Sequence, residues 1–430
     1  MRLSIVAMIA FVSVAGALAQ DVELTLDEAL ELAIAGNADL MAQYAATEGA
    51  LRDLQSAWNT FMPGLSAGLA LSWDGPSLLG TEGPGYSSDS PLGTKLSLGV
   101  QLSLGTASAF ELSERRLAAE SATLTRREAG ARLVRDVEKA YFQLVVYKQD
   151  IANKARVIKL AEERLALART RYQNGLVPEL EILRAELSVW NSRPAYQKAE
   201  TDYRKRLASF KRLVGYEGEG DFSLTSPLIV AASTGTISVP GDRLADRFDV
   251  ERLTLAKASN DLAARKALAT VKLPVVSLGA SWNASSSDFA DPIDSLTVSA
   301  GIAFSVDSWI PGSKKDLSVQ LFADSARRLE IQYTDVLRAA RDEISGLVLD
   351  LESAGTNIEL AGRQATLAER IYEKTREAYR LGSATFLELE DAQQDVSTAE
   401  QALLGYRYQY LSVLIDLGYA LNTDWRLLLQ

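Results

Sequence analysis

Few residue types in this 430-residue chain could do bond-making chemistry. There is no His and no Cys, which removes the imidazole general base, the thiol nucleophile, the disulfide framework and every Cys/His metal site. Carboxylates, Lys, Ser and Tyr remain. None of them sits in a nucleophile elbow or a Gly-rich phosphate loop. The sequence therefore reads as that of a non-enzyme with no catalytic residues, no metal site and no cofactor. Its acidic clusters, Glu179 to Glu186 and Leu387 to Asp391, each follow a turn of similar sequence. The first turn is Arg171-Tyr172-Gln173-Asn174-Gly175 and the second Ala378-Tyr379-Arg380-Leu381-Gly382. Glu388 and Asp391 are three residues apart, on one face of any helix they belong to.

Asp and Glu number 56 against 45 Lys and Arg, a formal net charge of -11. That balance argues against nucleic acid, whose phosphates require clustered cations, and against docking on an anionic membrane surface. Residues 1–19 read as a secretory signal: Arg2, an apolar run from Leu3 to Val14, and the small-x-small site Ala17-Leu18-Ala19. The run is too short for a permanent membrane anchor.

The elements that hold the acidic clusters come in two copies offset by roughly 210 residues. A first repeat spans 20–215, with a β-hairpin at about 64–104. A second spans 242–423, with a hairpin at about 275–306. A Gly/Ser/Pro-bearing connector, 216–241, lies between them, and 424–430 is a short tail. In each repeat a seam alternates spacings of three and four without a slip: Val137, Ala140, Leu144 onward to Tyr172, with Lys154 the one polar intrusion, and Leu337, Ala340, Ile344 onward to Tyr379. Such a seam means long helices in coiled-coil contact. The spans from about Thr106 to Tyr172 and from about Pro311 to Tyr379 would each reach roughly 100 Å. Helices about half as long are expected at Thr25–Phe61, Val177–Val214, Asp242–Val271 and Thr385–Leu421.

Four segments alternate with period two. Leu65 to Trp73, Leu96 to Leu104, Val276 to Trp282 and Leu296 to Val306 each set apolar residues against Ser, Gly, Thr, Ala or Gln. One face would hold Leu69, Leu71, Leu98, Val100, Leu278 and Ile302. The runs are as long as tilted strands crossing a bilayer, the uncharged polar face suits a wet lumen, and Trp73, Trp282 and Phe304 suit interfacial girdles. Four strands cannot close a barrel, and open edges are not tolerated in lipid. Three chains would supply twelve strands.

Together these features resemble the TolC-type outer-membrane factors over about Val22 to Thr423, including the opening Leu24-Thr25-Leu26-Asp27-Glu28-Ala29-Leu30 with Asn37-Ala38-Asp39-Leu40. The resemblance implies an α+β membrane protein in the outer membrane that extends into the periplasm. It would be a homotrimer closing a twelve-stranded β-barrel and a helical tunnel, embedded in outer-membrane lipid. Its function would be export, with a periplasmic adaptor and an inner-membrane pump as partners. It nominates Gly175 and Gly382 as adaptor-docking tips, and Glu181, Tyr379, Glu388 and Asp391 as the periplasmic entrance. Ala384 stands where the best-known members carry a gate Arg, so a rearranged ionic lock is expected. The competing reading is a periplasmic coiled-coil scaffold or adaptor without a pore.

Overall fold

The computed structural model describes residues 22–73, 92–218, 220, 222–228, 241–286, 293–303, 310 and 312–429. The secretory signal, Phe304, Val306, most of the inter-strand loops and most of the connector lie outside these residues, as does the side chain of Trp73. The chain divides into two compact units. One comprises the chain to Ala42, Glu128–Arg243 and Ala340 onward; the other comprises Gln43–Arg127 and Leu244–Ala339.

Seven α-helices are described: α1 Leu26–Gly36, α2 Ala38–Ser56, α3 Thr106–Gln173, α4 Glu179–Leu213, α5 Phe248–Lys272, α6 Lys314–Arg380 and α7 Phe386–Ala420. None is long and apolar enough to cross a membrane. The seam residues are what these helices cover. Val137, Leu144, Ala161 and Ala168 of α3, and Ala340, Leu351, Ala354, Ala361 and Tyr379 of α6, are all buried. One expected helix is two. Between α1 and α2, Asn37 adopts an extended conformation. Its Oδ1 accepts from the Leu40 amide at 2.9 Å and its Nδ2 donates to the Leu213 carbonyl at 2.9 Å. A short amide side chain that competes for backbone partners ends one helix and starts the next.

The long helices end alike. The amides of Gly175 and Leu176 donate to the carbonyls of Tyr172 and Arg171, and those of Gly382 and Ser383 to Tyr379 and Ala378. This is the Schellman pattern, which places one residue in the left-handed region. Gly175 and Gly382 take it with φ of 69° and 80°. The ends of α4 and α7 repeat the pattern at Gly215 and Asn422.

Six β-strands complete the description: β1 Val22–Leu24, β2 Gly64–Trp73, β3 Leu92–Gly105, β4 Phe222–Leu224, β5 Val275–Ser286 and β6 Ile293–Ala303. Strands β1 and β4 form a parallel pair, so the segment expected to be a plain connector contributes a strand. The buried Tyr141 fastens it: its hydroxyl donates to the Leu24 carbonyl at 2.8 Å and accepts from the Ser226 amide at 3.0 Å.

The other four strands make one antiparallel sheet in the order β2-β3-β5-β6, with β2 and β6 at its edges. Leu65 stands opposite Val100, Leu98 opposite Ala67 and Trp282, and Leu278 opposite Leu102 and Ala300. The apolar sets of all four strands therefore share one face. The other face pairs Ser with Gly across strands, as Ser66 with Gly99, Ser97 with Gly68, Ser277 with Gly301 and Ser299 with Gly279. Each of these hydroxyls lies 3.2 to 3.5 Å from the carbonyl oxygen of its Gly. A Cβ at Gly68 or Gly99 would come within 2.9 or 2.7 Å of the facing hydroxyl, so this face admits nothing larger without movement.

Candidate functional site

The site is built where α3 turns into α4 and α6 turns into α7. Both helices that leave these turns carry a Glu at their third residue, Glu181 and Glu388, and the residue just before the helix decides what each Glu does. Before α7 stands Thr385. Its hydroxyl and amide donate to Glu388 Oε2 at 2.9 and 2.7 Å, while the Glu388 amide donates to the Thr385 hydroxyl at 3.3 Å. The capping box is closed and the helix start is satisfied from within. These hydrogen bonds, the backbone one first, hold the Glu388 carboxyl below its usual range, so it is ionised at neutral pH.

Before α4 stands Pro178, which has neither an amide N–H nor a hydroxyl. No box can form there, and Glu181 turns elsewhere: its Oε1 accepts from the Tyr379 hydroxyl at 2.5 Å. One substitution between the repeats, Pro for Thr, thus converts a local cap into a bond between helices 198 residues apart.

Tyr379 is held from three sides. It is 3% exposed and packs with Ala168, Ala185, Phe386 and Leu389, with Leu165, Tyr372 and Ala384 around them. The Phe386 ring meets it edge-on at 6.4 Å. The Arg171 guanidinium lies 4.7 Å from the ring centroid and donates to the carbonyls of Tyr379 and Arg380 at 2.9 and 3.0 Å. A cation at the end of α6 completes carbonyls that lack helical partners and complements the helix dipole. Burial first, then the bond to Glu181, pushes the Tyr379 phenol up to about 12. It stays neutral and a donor throughout the physiological range. Its repeat counterpart, Tyr172, is 44% exposed.

The expected entrance residues therefore separate into two sets. Glu181 and Tyr379 meet directly. Glu388 and Asp391 are exposed on the first turns of α7, apart from that pair. Gly175 and Gly382 occupy the turns in left-handed conformations, and a Cβ on either would meet nothing within 4 Å. Ala384 is packed against the Tyr379 cluster, and the cation beside Tyr379 is Arg171. Sequence reasoning quoted Arg171 only as part of a repeated motif. Its signal was the asymmetry, Arg171 in one copy and Ala378 in the other.

On the sheet, the residues expected to face lipid are open to the surroundings: Leu69 is 73%, Leu98 48%, Leu278 45% and Ile302 71% exposed, with Leu71 and Val100 likewise exposed. The helices carry a second uncovered apolar stripe. Leu176 in the turn and Leu180, Leu183, Leu187 and Trp190 along the start of α4 recur at spacings of four and three, each more than half exposed.

Comparison with known proteins adds the following. A sequence model for the family described as outer membrane efflux protein matches residues 29–216 and 245–423. The solvent efflux pump outer membrane protein SrpC of Pseudomonas putida is 26% identical over 344 residues, covering 73% of this chain and 66% of that protein. The pyoverdine export outer membrane protein OpmQ of the same species is 24% identical over 320 residues, covering 71% of this chain and 65% of that protein. The chain thus spans just under two thirds of the length of these relatives. Among solved structures, CusC superposes with a TM-score of 0.75 at 16% identity, covering 96% of both chains. The outer-membrane channel OprN does so with 0.74 at 18% identity, covering 93% of this chain and 90% of that one. The open-state MtrE channel of Neisseria gonorrhoeae gives 0.72 at 17% identity, covering 95% and 93%. These likenesses establish the fold.

Proposed function

Because the chain belongs to the outer membrane efflux protein family, we propose that it is the outer-membrane channel of an export machine, assembled from three copies that jointly close one twelve-stranded barrel. The sheet carries the proposal. An exposed face of Leu, Val and Ile has no protein core to cover it, and water would penalise it by about 25 cal/mol per Å². In a hydrocarbon layer the face is matched, but the unpaired edges of β2 and β6 then become the problem, since each unsatisfied backbone group there costs several kcal/mol. Pairing β6 of one copy with β2 of the next satisfies both edges. The uncovered stripe on α4, spaced like a coiled-coil seam, supports helix contact between the same copies.

A periplasmic coiled-coil scaffold without a pore would have no use for this sheet. Cargo follows the relatives named for solvents and pyoverdine, small molecules handed on by an inner-membrane pump and a periplasmic adaptor. The bare turns at Gly175 and Gly382 are where an adaptor would approach, since no side chain stands in its way. The decisive measurement is the mass of the detergent-extracted protein from the membrane fraction. A trimer is expected; a stable, detergent-free monomer would overturn the channel reading.

Glu388 and Asp391 are assigned the entrance of this channel, three copies of each giving two stacked acidic rings. The capping box permits a clean test, because Gln at the third position preserves the box while removing the charge. Glu388→Gln with Asp391→Asn is expected to lower cation selectivity and sensitivity to block by multivalent cations in planar bilayers, with trimer yield unchanged. An unaltered reversal potential and unaltered block would reduce the two carboxylates to a solvated helix face.

A further inference from the structure

The last residues of the chain, expected to be a tail, are docked. After α7 the segment Trp425–Leu429 forms a short 3-10 helix. Trp425 is 8% exposed, and its ring meets Phe142 of α3 edge-on at 6.3 Å. Gly418 makes room for it: a Cβ at that position would sit 2.9 Å from the Trp425 Cβ. The indole N–H donates to Glu138 Oε1 at 2.9 Å. Arg426 then reaches α1, its guanidinium donating to Asp27 Oδ1 at 2.9 Å, and its amide donates to Asp424 Oδ1 at 2.9 Å. One indole and one guanidinium thereby hold α1 and α3 to the end of the chain.

Glu138 is the unusual member. It is 6% exposed, and among the described residues no cation forms an ion pair with it. The charged and titratable groups facing it are accounted for. On α3, Arg135 bonds Asp136 and lies over the Tyr419 ring of α7 at 4.6 Å. Lys139 pairs with Asp416 of α7 at 2.6 Å. From α1 comes Asp27, already bound to Arg426, and from the chain end come Asp424 and Arg426. A cleft of about 370 Å³, bordered by Leu30, Val134, Ile415, Tyr419 and Arg426, opens beside the carboxyl, so displacing the indole would admit water to it.

We propose that residues 424–429 are a proton-operated clasp: closed on Glu138 when that carboxyl is neutral, and released when it ionises. The driving force is desolvation. Closing Trp425 over Glu138 removes the carboxyl from water, which penalises its charged form. Burial, opposed by the indole bond and Arg426 and assisted by Asp424 and Asp27, raises the Glu138 carboxyl to about 7 from an ordinary 4.5. An acid whose affinity for its proton is raised in the closed state favours that state wherever the proton is bound. The contribution is complete below about pH 4.5 and is lost as pH rises through about 7, so acid tightens the clasp and alkali loosens it. Over that window the closed-to-open ratio is expected to fall by roughly two orders of magnitude. The clasp stands independently of the export reading.

The absence of Cys makes a direct probe simple. Ala131 and Trp425 line the same cleft, so a bimane on Ala131→Cys reports the indole by quenching. In the assembled protein in detergent, quenching that depends on Trp425, with Trp425→Phe as reference, is expected to be strong at pH 5.5 and weak at pH 8.5. Glu138→Gln, an uncharged side chain that still accepts from the indole, is expected to stay quenched at both. Hydrogen exchange of residues 425–429 in the unsubstituted chain is the second measurement, with protection factors expected to drop about 30-fold between the two pH values. Equal quenching and equal protection at both pH values, or an unchanged transition in Glu138→Gln, would overturn the proposal.

Discussion

Leu98→Arg is expected to abolish assembly of the protein into membranes, while Ser97→Arg, one residue away, leaves assembly intact. Leu98 lies mid-strand, opposite Ala67 and Trp282 on the apolar face. Its neighbour Ser97 faces the Ser/Gly side, opposite Gly68 and away from the apolar set. An arginine at the bilayer midplane of a barrel costs about 2–4 kcal/mol, falling toward zero near the interfaces. In the proposed trimer, three copies per barrel would multiply this to about 6–12 kcal/mol, as large as the whole stability of an ordinary domain. Depth gives an internal control. Leu278 pairs with Leu102, close to where β3 passes into α3, so Leu278→Arg is expected to be milder than Leu98→Arg. Trimer yield from the membrane fraction measures all three. If Leu98→Arg and Ser97→Arg behave alike, the faces have been assigned wrongly.

The second large effect is expected at the turns. Arg171→Ala removes two hydrogen bonds to the carbonyls at the end of α6 and the contact with the Tyr379 ring. Hydrogen bonds to a charged group contribute about 1.5–3 kcal/mol and a partly shielded cation–π contact about 0.5–2 kcal/mol. Tyr379→Phe and Glu181→Gln act on one bond and are expected to cost less, about 1–2 kcal/mol each. If these contacts hold the entrance shut, all three substitutions raise the open probability in planar-bilayer recordings, Arg171→Ala the most. The Tyr379/Glu181 double variant is expected to add little to either single one, because both remove the same interaction. Fully additive effects would show that the two side chains do not act through each other. A conductance record identical to the unsubstituted channel for Arg171→Ala would remove the turns from gating altogether.

What was legible in the sequence was what rests on short-range periodicity. Period two placed Leu69, Leu98, Leu278 and Ile302 on one face, because successive strand side chains must alternate. The three-and-four spacing from Leu337 to Tyr379 marked the covered stripe of α6, because a helix turns every 3.6 residues. A Gly following a long helix marked the turns, because without a Cβ it takes a positive φ without strain. Membership of the family was equally legible, since it rests on these patterns in combination.

Tertiary structure alone decided which side chains meet across the repeats. Glu181 and Glu388 occupy equivalent positions, yet one bonds Tyr379 and the other caps its own helix. The local reason, Pro178 against Thr385, was visible, but the acceptor's new partner lies 198 residues away and no periodicity points to it. Arg171 stood in the sequence only as one member of a repeated motif, and its guanidinium lies on the carbonyls of another helix. Glu138 sits beside the seam residue Val137, where a carboxylate would be expected in water. Its burial is imposed by a tryptophan 287 residues further along the chain. A sequence states the period of each element directly, whereas the pairing of polar atoms between elements depends on how the chain closes in space.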